Sequence, residues 1–348
     1  MEPHGRTLAG RHTLGVGGPS GRLLSRLAEN ERVLVEVRNL LEDAVRANRR
    51  ITPAGEWLLD NFYLLEEQIH TARRHFPKGY SRGLPRLANG PSAGLPRVYD
   101  IALETIAHGD GRVDAESLGG FVAAYQTATP LKLGELWAIP IMLRLALIEN
   151  LRRIALRIAM DRTDRNFADS WADRMLEVAD RNPRDMILAI ADMARSHPPI
   201  CSSFVAEFAR RLQGQSAALA LPLTWIEQQL SESSLTIDKL VQSENQQQAA
   251  DQVSIGNSIG SLRFLATMDW KEFVETLSVV EQTLRRDPAG AYGRMEFSTR
   301  DRYRHAVEKL ARTSPRPEEE IARGAIALAL EGAGSRGTDH VEAHVGST

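Results

Sequence analysis

The sequence of 348 residues contains a single cysteine, Cys201. One thiol excludes an intramolecular disulfide framework and suits a reducing compartment. It stands in Pro198-Pro-Ile-Cys-Ser-Ser-Phe204 with no cluster of metal ligands nearby, so a small buried side chain is its expected role. Lysine is scarce, at positions 78, 132, 239, 271 and 309 only, and arginine carries the remaining positive charge. Forked guanidiniums grip phosphate or carboxylate, but a GC-rich genome produces the same bias. Long apolar runs are also missing. The longest stretch without a charge, Leu212 to Ile226, holds two glutamines and a proline and falls short of the ~20 apolar residues of a membrane span. The apolar run from Leu131 to Leu151 is interrupted by Lys132, Glu135, Arg144 and Glu149 and reads as a buried helix. The first residues have no apolar core of a signal peptide. A net charge of −2 and a pI near 6.5 give no bulk attraction to nucleic acid or anionic lipid.

Signatures of catalysis are missing too. No two aspartates stand two apart, as a metal-bound sugar nucleotide requires, and no Arg-Trp pair occurs, as in the Gln-x-x-Arg-Trp of processive synthases. There is no nucleophile elbow, zinc spacing or dinucleotide fingerprint. Gly15-Val-Gly-Gly-Pro-Ser-Gly21 lacks the Gly-Lys-Ser/Thr ending of a phosphate loop. Glu67 and His70 share a helix face, but a di-iron bundle needs a second such pair with further glutamates. His108-Gly-Asp-Gly-Arg-Val-Asp114 is too short for a calcium loop and reads as a turn ending in a helix cap. No catalytic, cofactor-binding or metal-binding residue is therefore expected.

The sequence does contain helices. A hydrophobic fraction of 43% is enough for a sizeable core. Val33, Val37, Leu40, Leu41 and Ala44 form one apolar stripe. Thr52 and Pro53 open another helix, with Leu58, Phe62, Leu65, Ile69 and Ala72 inward. Val98, Ile101, Ala102 and Ile106 make a third, and Asp114 caps a fourth. A long helix is predicted from about 134 to 162, kinked at Pro140. Shorter ones are predicted near 166–180, 183–195, 201–213, 222–230, 235–252, 269–286, 298–312 and 317–330. The Ser- and Gln-rich stretch Ser231 to Gln252 reads as a solvated helix or as a linker between lobes. The expected fold is all-α: a soluble, multi-helix, bundle-like module over 30–325, of one or two lobes. A disordered tail is expected over 1–29 and a flexible one over 326–348.

Arg294, Arg300, Asp301, Arg302, Tyr303 and Arg304 form the densest charge cluster. Two readings are open. The cluster is a phosphate or anionic-partner site, or it is an ion-pair lattice with Glu296 and Asp301. The block is expected at a helix start, partly exposed, with Tyr303 packed inward.

The wording of several segments resembles the N-terminal region of cyclic β-1,2-glucan synthases, large bacterial inner-membrane glycosyltransferases. They are Asp287-Pro-Ala-Gly with Met295-Glu-Phe-Ser-Thr-Arg-Asp-Arg-Tyr-Arg304, Ile51-Thr-Pro-Ala-Gly-Glu-Trp-Leu-Leu-Asp-Asn-Phe62 with Leu65-Glu-Glu-Gln-Ile69, Gly94-Leu-Pro-Arg-Val-Tyr99, Gly134-Glu-Leu-Trp137 and Ile148-Glu-Asn-Leu-Arg-Arg153. His344-Val-Gly346 resembles the start of a segment that in the family continues toward the membrane-embedded part; here it stops at Ser347-Thr348, so a truncated form is expected. The resemblance implies a non-catalytic module at the cytoplasmic face of the inner membrane. Its partners would be the downstream membrane and catalytic domains, which build cyclic β-1,2-glucan from UDP-glucose. The alternative is a stand-alone helical binding or scaffold protein.

Overall fold

A computed structural model describes residues 2–15, 22–76, 83–337, 340 and 343–346. Fifteen helices and two short strands make up the described fold. In chain order they are α1 (Glu2–Arg11), β1 (Leu14–Gly15), α2 (Arg22–Arg46), α3 (Pro53–Asp60), α4 (Phe62–His75), β2 (Arg86–Leu87), α5 (Arg97–His108), α6 (Ala115–Gln126), α7 (Leu133–Arg181), α8 (Met186–Arg195), α9 (Ser202–Leu212), α10 (Ala220–Ser231), α11 (Ile237–Thr267), α12 (Trp270–Leu277), α13 (Val279–Leu284), α14 (Phe297–Thr313) and α15 (Glu318–Arg336). The strands pair antiparallel, Leu14 with Leu87 and Gly15 with Arg86. The all-α class read from the sequence holds. Among the described residues no helix is long and apolar enough to cross a membrane.

Two compact units emerge. The first comprises Met1–Arg26, His70–Leu147 and Gly260–Thr348; the second comprises Leu27–Ile69 and Ile148–Ile259.

In the first unit, α1 packs on α6. This helix lies inside the segment 1–29 expected to be a disordered tail. Its glycines lower its own propensity, and tertiary contacts override that. A Cβ at Gly5 would stand 2.7 Å from the carbonyl oxygen of Phe121, so only glycine allows the close approach. Leu8 and Ala9 are buried, and the imidazole of His12 reaches the Tyr125 hydroxyl at 2.8 Å and the Asp100 carboxylate at 3.0 Å. Residues 16–21, which include most of the glycine-rich run, lie outside the described residues. Arg97 donates Nε and Nη2 to the two oxygens of Glu135 at 2.6 and 2.7 Å, a buried fork-to-fork pair. A second apolar cluster in this unit, around Val280, Leu284, Tyr292, Val307 and Ile326, joins α13, α14 and α15. Helix α15 extends to Arg336, and Val345 is buried on this cluster.

In the second unit the core is aromatic and methionine-rich. Met175, Met186, Met193, Phe204, Phe208 and Leu212 fill it, with Phe204 and Phe208 stacked at 5.6 Å. Cys201 is only partly buried. Its thiol donates to Asp164 at 3.2 Å, and burial pushes it above its ordinary pKa.

Helix boundaries differ from the sequence pattern in three places. Helix α7 runs through Pro140 and on to Arg181, joining the stretches predicted separately as 134–162 and 166–180. Between them Thr163 turns its hydroxyl back to the Ala159 carbonyl at 3.1 Å and so caps nothing. Helix α11 continues past 252, because Ser254 and Ser258 are buried as acceptors for Asn150, at 3.3 and 3.0 Å. The stretch Ser231 to Gln252 is therefore mostly helix and not a linker. The helix predicted over 269–286 is two helices. Ser278 adopts φ −74° and ψ 115°, ends α12, and caps α13 by accepting from the Glu281 amide at 3.2 Å.

Candidate functional site

The site is built on α12, α13 and α14. Asp269 caps α12, accepting from the amides of Lys271 and Glu272 at 2.9 and 3.1 Å. This sets Phe273, Val274 and Leu277 inward. After α13 the chain turns at Asp287-Pro-Ala-Gly290, with Gly290 at φ 62°, a left-handed conformation that glycine adopts without strain. The buried Asp287 carboxylate accepts from the amides of Ala291, Tyr292 and Val345, each at 3.0 Å. One side chain thus organises the turn and anchors a distant segment to it.

Arg304 is fully buried and stands at the centre. Its Nη1 donates to Glu281 at 2.6 Å and to Glu275 at 2.9 Å, while Nη2 donates to Asp301 at 3.0 Å. Arg300 donates Nε and Nη2 to Glu275 at 3.0 and 2.8 Å, and Nη1 to the Met295 carbonyl. Arg285 donates to the other oxygen of Glu281 at 2.8 Å. Tyr292 donates its hydroxyl to Glu281 at 2.6 Å. Three guanidiniums therefore face Glu275, Glu281 and Asp301, and the charges cancel. Phe297 lies under the Arg304 guanidinium, 4.9 Å away.

The electrostatics follow from this closure. Burial opposes the charge on Arg304, but hydrogen bonds to Glu275, Asp301 and Glu281 outweigh it and hold its pKa above the ordinary arginine value. Burial likewise opposes the charge on Glu275, but Arg304 and Arg300 hold it below the usual carboxylate range. Burial and the hydrogen bond to Glu281 raise the Tyr292 phenol. These shifts all favour fixed protonation states. A general acid or base needs a pKa near the working pH, and Arg304, Glu275 and Tyr292 are each moved away from it.

The six residues of the sequence cluster are not one unit. Arg300, Asp301 and Arg304 enter the lattice. Tyr303 packs edge-on against Tyr292 at 5.7 Å and His344 at 5.8 Å. Arg302 is exposed, and Arg294 is exposed with a weak 3.4 Å bond to the Ala289 carbonyl. The acids of the lattice are Glu275 and Glu281 as well as Asp301. Glu296, expected among them, is the exposed N-cap residue of α14 and makes no side-chain cap. No local signal marks Glu275 and Glu281, since their pairing with Arg304 is long-range. Glu67 and His70 are both exposed on α4.

Beside the lattice, α14 and α15 form an apolar groove of about 700 Å³. Val307 and Leu310 line one wall, Ile321 and Leu328 the other, with Arg302 and Arg316 at its edges. Leu310 and Leu328 are 56% and 54% exposed, so this face leaves large apolar side chains in water.

No family model matches the chain. It is 33% identical over 307 residues to the cyclic beta-(1,2)-glucan synthase NdvB of Rhizobium meliloti (strain 1021). The match takes in 88% of this chain but 11% of that relative. The resemblance to cyclic β-1,2-glucan synthases is thus carried by identity across nearly the whole of this chain, and it concerns about a tenth of the length of such an enzyme.

Proposed function

We propose that the chain is a non-catalytic helical module of a cyclic β-1,2-glucan synthase system. It packs against or organises the membrane-embedded and catalytic parts of such an enzyme at the cytoplasmic face of the inner membrane. In the full-length form those parts would polymerise glucose from UDP-glucose into cyclic β-1,2-glucan. The observation that carries this reading is the match over 88% of the chain to only 11% of a synthase. Two features of the site support it. The charge lattice is closed and neutral, which suits a brace and not an active site. The α14–α15 groove exposes leucines beside it, as a docking face does.

The test has two arms. Purified chain is incubated with labelled UDP-glucose and a divalent metal, and no β-1,2-glucan or labelled protein is expected. A chimaera of the Rhizobium meliloti synthase, with its matching region replaced by this chain, is expected to make cyclic glucan. Synthesis by the chain alone overturns the non-catalytic role, and a chimaera that folds, inserts and makes no glucan overturns the placement.

A further inference from the structure

A second cluster of arginines lies in the unit formed by Leu27–Ile69 and Ile148–Ile259. It lines a polar pocket of about 480 Å³, within the size range of small-ligand sites. Arg49, Arg50, Arg162, Arg165, Arg210 and Arg211 face Asp169, Glu207 and Glu244 there. The three acids are each engaged: Glu244 by Arg165, Glu207 by Arg210 at 3.1 Å through Nε, and Asp169 by Arg211 at 3.0 Å. Burial and the neighbouring Glu207 push Asp169 above its usual pKa. Among the lining residues six arginines face three acids, and Asp173 beyond the lining also pairs with Arg211.

The excess is concentrated on Arg162. Its side chain is buried, 4% exposed, and Nη1 donates to the Arg50 carbonyl at 2.9 Å. Its Nε and Nη2 are buried and have no hydrogen-bond partner. Those two nitrogens form the side-on edge of the guanidinium, which presents two parallel N–H donors. Buried Arg97 fills the same edge with both oxygens of Glu135. Arg162 has no such carboxylate, although an unpaired buried cation is costly. The loop above it is well built. Asn48 closes α2 in the left-handed conformation at φ 53°, and the Thr52 side chain caps α3 by accepting from Gly55 at 3.2 Å. This loop presents the exposed Arg49 and Arg50 at the pocket rim. Arg49 donates to Asn166 at 2.9 Å and leaves further donors open.

We propose that this pocket binds a phosphate group, with two of its oxygens on Nε and Nη2 of Arg162 and the remaining charge met by Arg49 and Arg50. A dianionic tetrahedral oxyanion matches both the two-donor edge and the local excess of charge. A lone carboxylate satisfies the edge but not the charge.

Isothermal titration of the purified full chain with inorganic phosphate tests this, with sodium chloride at matched ionic strength and sodium acetate as controls. One-site binding of phosphate is expected, with acetate at least about tenfold weaker. Arg162→Lys keeps the charge and loses the fork, and should weaken phosphate binding about tenfold or more. Arg49→Gln with Arg50→Gln changes only the exposed loop and should weaken it similarly without altering the circular dichroism. Flotation with phosphatidylglycerol vesicles identifies the source. Phosphate-sensitive flotation that the loop variant abolishes assigns a lipid headgroup, and its absence beside binding in solution assigns a soluble phosphate ester. No phosphate binding above the chloride control overturns the site, as does binding that the loop variant leaves unchanged or acetate binding equal to phosphate.

Discussion

The Tyr292 hydroxyl and the Arg304 Nη1 meet at one oxygen of Glu281, each at 2.6 Å. A tyrosine from the turn after α13 and an arginine from the second turn of α14 thus share a buried acceptor. The lattice is a joint between chain segments, and its members should behave as a unit when removed singly.

Arg304→Met should lower stability by about 3–5 kcal/mol, because it strands Glu281 and Glu275 in the interior with one cation fewer. Arg302→Ala, exposed and outside the lattice, should stay within about 0.5 kcal/mol. Chemical denaturation of both variants checks the contrast, and equal effects would count against the brace.

Tyr292→Phe removes one donor to Glu281 and leaves the ring in its cluster. The expected loss is about 1–3 kcal/mol. In the Arg304→Met background the same change should cost a different amount, which a double-mutant cycle reads directly.

Acid should loosen the lattice. Glu275 is held below the usual carboxylate pKa by Arg304 and Arg300. Its stabilisation is therefore complete above an unfolded value of about 4.3 and is lost as pH falls through the lower folded value. Glu275→Gln should flatten the fall of melting temperature below about pH 4.5.

Asp161 carries the opposite sign. Burial, then repulsion from Glu244, raises it from 3.8 to about 6. The folded chain binds this proton more tightly than the unfolded chain, so the penalty grows as pH rises from 3.8 toward about 6 and is constant above. Asp161→Asn should raise the melting temperature at pH 7 and change it little at pH 4.

The groove separates folding from docking. Leu310→Asp with Leu328→Asp alters side chains already more than half exposed, so the melting temperature should change little. In the chimaeric synthase the same pair should reduce glucan output if the groove is a docking face. Unchanged output removes the groove from the proposed function.

Much of the local grammar was legible. Thr52 with Pro53, and Asp114, cap the helices that the sequence assigns to them. Those signals are short-range and act through adjacent amides. What escaped were features decided by distant partners: α1 is held by α6, and α11 is extended by serines facing Asn150. The dense block around Arg300–Arg304 left an anionic-partner site and an ion-pair lattice both open, and the main acids of the lattice come from α12 and α13, with no fixed spacing to betray them. The pairs Arg49–Arg50 and Arg210–Arg211 lie far apart in the sequence. Only folding brings them to the same pocket as Arg162.

Glu275 and Glu281 stand six residues apart, and on one unbroken helix their side chains would diverge by roughly 120°. Both nevertheless reach Nη1 of Arg304. Ser278, with its extended ψ of 115°, acts as a phase shifter between two short helices and swings one carboxylate round to meet the other. The junction is therefore a calibrated spacer. Adding or removing one residue between Glu275 and Glu281 would rotate an acid by roughly 100° and take one of its three carboxylates from the buried Arg304. Junctions between helices usually absorb changes of length; this one should tolerate substitution at its surface but not a change in its count of residues.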